Sequence, residues 1–295
     1  MTNKKFYKIA VMGRAGVPGV EETLSTLVDF LVSQHREVVL ESSTATLLPN
    51  TNLPIVDAKD IYKHAELFIV VGGDGSLINA AHIAVENNLP ILGVHRGRLG
   101  FLTDIHPNQL EKIGVILDGH YQEENRFLLQ SVINEQHRHS THDIALNDVV
   151  LLPGDIAQMI EFDLYVNDQL VCHHRADGMI IATPTGSTAY ALSGGGPILH
   201  PSLSAIVLVP MFPHTLSSRP IAIKSESEIR IEITRDNETS PYVSCDGQNR
   251  IAVAPNGHIT IKKYPKTLNL IHPSDYNYYH TLREKLNWEK QASRT

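Results

Sequence analysis

Cysteine is nearly absent. Cys172 and Cys245 are the two in 295 residues, and neither sits in a CxxC pair. That excludes zinc-ribbon and thioredoxin-like chemistry and fits a reducing compartment. Long apolar runs are missing too. The longest, such as residues 205–210, fall far short of a membrane span. The stretch Met1-Thr2-Asn3-Lys4-Lys5 leads directly into a strand pattern, with no signal-peptide core or cleavage site. A cytoplasmic protein without a membrane is expected. A net charge of -7 argues against a nucleic-acid partner while leaving room for a local phosphate pocket. The common nucleotide signatures are also lacking. There is no GxxxxGK[ST], so this is not a P-loop protein. No GxGxxG follows the first strand, where Gly13-Arg14-Ala15-Gly16 does not match, which argues against an ordinary dinucleotide oxidoreductase. HExxH and GxSxG are absent.

What is present is a globular composition, 42% hydrophobic and 19% charged, with length enough for two domains. Residues 7–12 read as a buried strand and 20–32 as a helix through Val20, Leu24, Leu27, Val28 and Leu31. Strand 37–40, a polar loop over 42–54, a short helix at 61–64, strand 67–71, a helix after Gly75, strand 90–94 and helix 107–117 follow. This alternation predicts an α/β domain whose parallel sheet carries helices on both faces. From residue 121 the pattern turns to strands: 126–133, 143–152, 160–166, 179–182, 228–234, 242–245, 258–263 and 268–271. Residues 274–288 regain helical spacing. The expected division is 1–120 α/β, 121–273 β-rich, and a helical tail over 274–295 that packs back on the first domain.

Three stretches carry chemistry. In the first, strand 67–71 runs into Gly72-Gly73-Asp74-Gly75-Ser76 and a helix. Glycines admit a ligand to the backbone, and helix-start amides suit phosphate. An acid there repels phosphate unless it meets a cation or takes a proton. The plain alternative is that Asp74 or Ser76 is an N-cap. The second stretch, Arg175 to Pro201, passes through Asp177, a strand, a Thr/Gly/Ser loop and three glycines. Its hydroxyls and amides suit a sugar and a base edge; the alternative is a connecting loop. The third is Asn147-Asp148, a polar pair within the apolar 143–152 strand. Such a pair needs partners, either ligand hydroxyls or a structural network.

Together these stretches resemble the NAD kinase family. Gly72 to Ser76 looks like its GGDG motif, Asn147-Asp148 its Asn-plus-acid motif with Asp for the commoner Glu, and 175–201 its long block. Gly97-Arg98-Leu99-Gly100-Phe101-Leu102 and residues 208–220 resemble the bacterial branch. The resemblance covers nearly the whole chain. It implies an α/β domain followed by a β-sandwich-like domain. It also implies ATP-dependent phosphorylation of the 2′-hydroxyl of the adenosine ribose of NAD, giving NADP, with a divalent metal, Mg2+ by expectation. On this resemblance Asp74 is the general base, and Gly72, Gly73 and Gly75 hold phosphates. Gly75, Asn147 and Asp148 meet the dinucleotide, the last two at ribose hydroxyls. Asp177 and Thr188, Ala189, Tyr190, Ala191, Leu192 and Ser193 lie on its adenine side. Arg175 falls near the nicotinamide end or its phosphates, and Gln248 contacts the nucleotide. A homodimer or homotetramer is implied as well. Phosphofructokinases and diacylglycerol- or sphingosine-type lipid kinases also carry GGDGS. The first would want a glycine-rich loop that residues 13–19 do not supply, and the second an apolar groove unlike 175–201. A non-catalytic NAD or NADP sensor would gain nothing from Asp74 without a metal beside it.

Overall fold

The computed structural model describes residues 4–97, 99–134, 141–154, 158–235, 237 and 239–288. They form two compact units, one of residues 1–125 with 268–295 and the other of residues 126–267. The chain leaves the first unit along one strand and returns along another.

In the first unit the strands are β1 (Lys8–Gly13), β2 (Glu37–Glu41), β3 (Ile55–Val56), β4 (Leu67–Gly72) and β5 (Ile91–His95). They lie in the order β3-β2-β1-β4-β5, all parallel. Every residue of β4 and β5 is buried, as a sheet covered on both faces demands. Helix α1 (Val20–Ser33) buries Val20, Leu24, Leu27, Val28 and Leu31, the stripe its spacing predicts. The strand order reverses beside β1, so the gap between the ends of β1 and β4 is a topological switch point. Gly13 pairs with Val71 there, and ligands of such sheets bind at that place.

One local expectation fails in this unit. Residues 42–54 read as loop, yet α2 (Ser42–Ala45) forms at the end of β2. Its cap is Glu41, whose carboxylate accepts from the Ser43 and Thr44 amides and from their hydroxyls. Burial alone would raise the Glu41 pKa; the hydrogen bonds, Ser43 foremost, outweigh it and hold the group below its ordinary value. Helix α3 (Asp74–Glu86) follows β4, and α4 (Leu110–Leu117) follows β5.

The chain passes out along β6 (Tyr121–Asn134) into the second unit. There follow β7 (Thr141–Ala145), β8 (Asp148–Leu152), β9 (Ile160–Val166), β10 (Gln169–Ala176) and β11 (Gly178–Ala182). Helix α5 (Tyr190–Ser193) comes next, then β12 (Ala205–Met211), β13 (Ile221–Lys224), β14 (Ile229–Ile233), β15 (Tyr242–Cys245) and β16 (Ile251–Ala252). Strand β17 (His258–Pro273) returns to the first unit, where its end pairs with β5, Leu270 opposite Ile91. Helix α6 (Tyr278–Leu286) closes the described chain.

The second unit is a sandwich. One antiparallel sheet has the order β13-β12-β11-β8-β15-β16. Its inward residues, among them Val149, Leu151, Met179, Ile181 and Leu208, pack on Phe162, Leu164, Ile231 and Ile259 from β9, β14 and β17. The outward residues Val150, Ile180, Val207 and Val209 are covered by Ala191 and Leu199. Both faces are therefore buried, which is why β11 and β12 read as unbroken apolar runs. The expected strand 143–152 is two strands, broken at Leu146-Asn147.

Candidate active site

In the first unit the site is the turn from β4 into α3. Gly73 caps the helix with an extended backbone and no side-chain cap bond. A Cβ on Gly72 would overlap Ser76, so that glycine serves close packing. Gly73 and Gly75 are different. Neither has a positive φ, and a Cβ on either would meet nothing within 4 Å. Their bareness leaves open space over the first amides of α3, which have no acceptors within the helix. A phosphate fits such a space.

Asp74 is the first residue of α3, and its carboxylate does not cap that helix. Oδ2 accepts from the Phe101 amide at 2.9 Å and Oδ1 from the Leu102 amide at 3.0 Å. The N-cap reading of Asp74 is thereby overturned. The carboxylate is held instead from a loop 27 and 28 residues away. Gly100 makes the approach possible: a Cβ there would overlap the Asp74 carboxylate and Thr103 Oγ1. Arg98, within the same motif, lies outside the described residues, as do Met1, Thr2 and Asn3.

Arg96, which sequence reasoning passed over, belongs to this turn. Its amide donates to the Gly72 carbonyl at 3.1 Å. Its side chain reaches the β1–α1 loop, with Nε 3.3 Å from the Pro18 carbonyl and Nη2 3.6 Å from Glu22. A cation therefore stands beside the switch point. Only its position after β5 reveals this, which a residue pattern does not carry.

In the second unit a cluster forms at one end of β8 and β11. The Leu146, Asn147 and Asp148 amides all donate to the Asp246 carboxylate, at 2.8, 2.7 and 3.2 Å. This is the reason the expected single strand breaks. Thr183 donates its amide to the Asn147 carbonyl at 2.9 Å and its hydroxyl to the Leu146 carbonyl at 2.6 Å. Gly186 is pressed so close that a Cβ would overlap the Asn147 backbone. The buried Arg126 donates to Thr185 Oγ1 at 3.1 Å. The loop that leads to Thr188 is thus built on the turn that carries Asn147, and the Gln248 amide joins through the Cys245 carbonyl at 2.9 Å. Asp148 is 5% exposed. Burial, and secondarily the charge of Asp246, pushes its pKa from 3.8 up to about 7.

The other expected site residues divide. Thr188 and Ala189 are half-buried beside this cluster, and Tyr190 and Ser193 are exposed. The Ala191 methyl is wholly buried in the apolar layer over β11 and β12 and Leu192 is half-buried, so Ala191 offers a ligand only its backbone. Arg175 and Asp177 precede β11, whereas Thr183 follows it. At ~3.3 Å per residue Asp177 lies about 20 Å from Thr183 along β11, and Arg175 lies beyond it on β10. Within one chain they do not join the cluster. Arg175 is exposed, with Nε 3.6 Å from Glu161.

Among the described residues no group of three or more His, Cys, Asp or Glu side chains could hold a metal ion. No helix of the described residues is long and apolar enough to cross a membrane.

Comparison with known proteins supplies the remaining findings. The profile described as the ATP-NAD kinase N-terminal domain matches residues 13–124, and the ATP-NAD kinase C-terminal domain matches residues 146–273. An NAD kinase of Coxiella burnetii (strain RSA 493 / Nine Mile phase I) is 60% identical over 294 residues, covering 100% of this chain and 98% of that one. An NAD kinase of Pseudomonas putida (strain GB-1) is 51% identical over 286 residues, 97% of each chain. The fold is shared with a yeast NADH kinase complexed with NADH, at TM-score 0.87 and 22% identity over 99% of this chain and 90% of that one. It is shared too with an Archaeoglobus fulgidus NAD kinase in complex with ATP, at TM-score 0.71 and 24% identity over 94% and 98%.

Proposed function

The chain belongs to the ATP-NAD kinase family and uses ATP to phosphorylate NAD, producing NADP; on that premise we propose how its residues divide the work. Asp74 is the general base. It takes the proton of the adenosine ribose 2′-hydroxyl as that oxygen bonds to the γ-phosphorus of ATP and the bond to the β-phosphate oxygen breaks, releasing ADP. The observation that carries this is a carboxylate held by the Phe101 and Leu102 amides instead of capping its own helix. An acid so fixed presents its remaining lone pairs in one direction, which is what positioned proton transfer needs. Gly73 and Gly75 hold donor phosphates over the first amides of α3, with Gly72 shaping the turn.

Among the described residues no set of side chains fits a metal cage built by the protein. A divalent cation, Mg2+ in this reading, would be held by the phosphates of ATP and would supply charge neutralisation there. The protein's share is positioning. Asn147 and Asp148 accept and donate at ribose hydroxyls, the backbone of 188–193 lines the adenine side, and Gln248 contacts the nucleotide. Arg175 and Asp177 contact nucleotide only if a second copy supplies them. Phe212 and Leu216, 77% and 92% exposed and following β12, whose Met211 pairs with Gly178, favour a homodimer or homotetramer that covers that end. Two cysteines without a disulfide favour the cytoplasm.

NAD, ATP and magnesium incubated with the protein should give NADP. Gly100→Ala should lower kcat per folded molecule by about 10–100-fold and also lower the melting temperature, because the added Cβ displaces the Asp74 carboxylate from the Phe101 and Leu102 amides. An unchanged kcat would remove the positional argument.

Asp148 gives a pH test. Its carboxyl is protonated in most molecules below about pH 7, and the charged form is the better acceptor for ribose hydroxyls. The KM for NAD should rise as pH falls from 7.5 to 5.5, and the rise should vanish in Asp148→Asn. Because the folded pKa is raised, the native state holds a proton that the unfolded chain has lost. This contribution to stability is present below about pH 4 and is lost as pH rises through about 7, by roughly 4 kcal/mol at most. Urea titrations of the two proteins across that window would show the difference.

A further inference from the structure

The loop that holds Asp74 is itself anchored by a buried ionic cluster at the returning end of the chain. Its backbone ties are few. The His95 amide donates to the Ile105 carbonyl at 2.9 Å, and the Gly100 amide reaches the Thr103 carbonyl at 3.4 Å. Thr103 Oγ1 is buried without a hydrogen-bond partner. The strong tie is Asp104, whose Oδ2 bonds to Nδ1 of His272 on β17. Asp104 Oδ1 is buried with no hydrogen-bond partner, so His272 is the side chain this carboxylate meets.

His272 is 1% exposed. Glu124 of β6 stands on its other side, with Oε2 3.2 Å from Nε2, close enough for an ion pair though angled away from a hydrogen bond. Tyr276, in the turn before α6, stacks on its ring at 3.9 Å between centroids and 12° between planes. A cationic imidazole over a tyrosine face is a favourable pairing. Lys285 of α6 lies 5.4 Å from the Phe101 ring, so the returning segment touches the loop twice. His95 and His106 stack edge to face at 5.0 Å, and both line the same cavity of about 460 Å³ as Asp104 and Tyr276.

We propose that the His272–Asp104 pair is a positioning device for the base. It pins the 99–104 loop so that the Phe101 and Leu102 amides hold Asp74 in its reactive orientation. The inference rests on Asp74 being the base. His272 acts through Asp104, the loop amides and Asp74, and touches no substrate. It also gives the C-terminal return of the chain a task beyond packing. Burial would push the His272 pKa down; its hydrogen bond to Asp104 and the nearby charge of Glu124 outweigh that and raise it. His95 is driven the other way, by burial and by the nearby His106. The cation of this cluster is therefore His272. The ionic part of its tie to the loop weakens as pH rises through its raised folded pKa.

The test is a set of kinetic cycles on the full chain with NAD, ATP and magnesium, using His272→Gln and Asp104→Asn, each alone and with Asp74→Asn. Each single variant should lose about 10–100-fold in kcat, with the KM for NAD and ATP changed less than threefold. In the Asp74→Asn background neither should cost anything further, since the group they position is gone. The alkaline limb of the wild-type kcat profile should also flatten in His272→Gln. Losses that multiply with that of Asp74→Asn, or a rise in KM with kcat intact, would overturn the proposal. If Asp74→Asn alone kept full turnover, the base assignment would fall first, and the result would be recognisable as that. Should His272→Gln fold poorly by circular dichroism, the isosteric Asp104→Asn decides between these outcomes.

Discussion

Asp74→Asn should lower NADP formation by about 10²–10⁴-fold, the range that loss of a positioned general base produces. NAD binding, measured by calorimetry, should weaken no more than a few-fold. The substitution keeps the shape of the side chain and removes its ability to take a proton. It also disturbs the two amide bonds. An amide side chain offers one oxygen, so either the Phe101 or the Leu102 amide then faces an NH2 group. A buried donor left in that state costs about 1–3 kcal/mol. The melting temperature should therefore fall, and activity must be compared at a temperature where both proteins are folded. The two effects separate by their readouts. Loss of the base lowers kcat at saturating NAD and ATP, whereas loss of folded protein lowers the active fraction and leaves kcat per folded molecule unchanged. Full turnover in the folded variant would mean that the ribose hydroxyl loses its proton without Asp74. The glycine turn would then be a phosphate cradle and no more.

Much of this arrangement is legible along the chain, and what is not shares one physical cause. The alternation of apolar strand and amphipathic helix through residue 117 reports local burial, and local burial is what places β1, β2, β4 and β5 in a parallel sheet. The glycines around Asp74 are visible for the same reason, because they are adjacent in sequence. The partners of Asp74 are not. They are backbone amides 27 and 28 residues on, and an amide has no residue identity to read. The α2 helix was hidden behind an unusual cap, since Glu41 stands where Ser, Thr, Asp or Asn is expected. The tie between His272 and Asp104 spans 168 residues. Period-two spacing over 143–152 reports strand, and both β7 and β8 are strands, but they belong to different sheets. It cannot report the break at Leu146-Asn147, whose cause is a carboxylate about 100 residues away.

That carboxylate, Asp246, is the place where a substitution should disturb the nucleotide cluster of the second unit most. Asp246→Ala leaves the Leu146, Asn147 and Asp148 amides without their acceptor. It also puts alanine at φ 50, a left-handed backbone that aspartate and asparagine tolerate better. The expected cost is about 2–4 kcal/mol in stability, with a rise of tenfold or more in the KM for NAD as the turn relaxes. Asp246→Asn separates the causes. It keeps the backbone preference and one acceptor, and removes the charge. Since that charge is the second cause of the raised Asp148 pKa, its removal should move the acid limb of the KM profile to lower pH. Burial, the larger cause, stays, so the limb should remain well above the range of an ordinary aspartate. A KM profile that keeps its midpoint near pH 7 in Asp246→Asn would show that burial alone sets the protonation of Asp148. A KM for NAD unchanged in Asp246→Ala would separate Asn147 and Asp148 from the ligand altogether, leaving the turn as a device that holds Thr183 and Gly186 against β8.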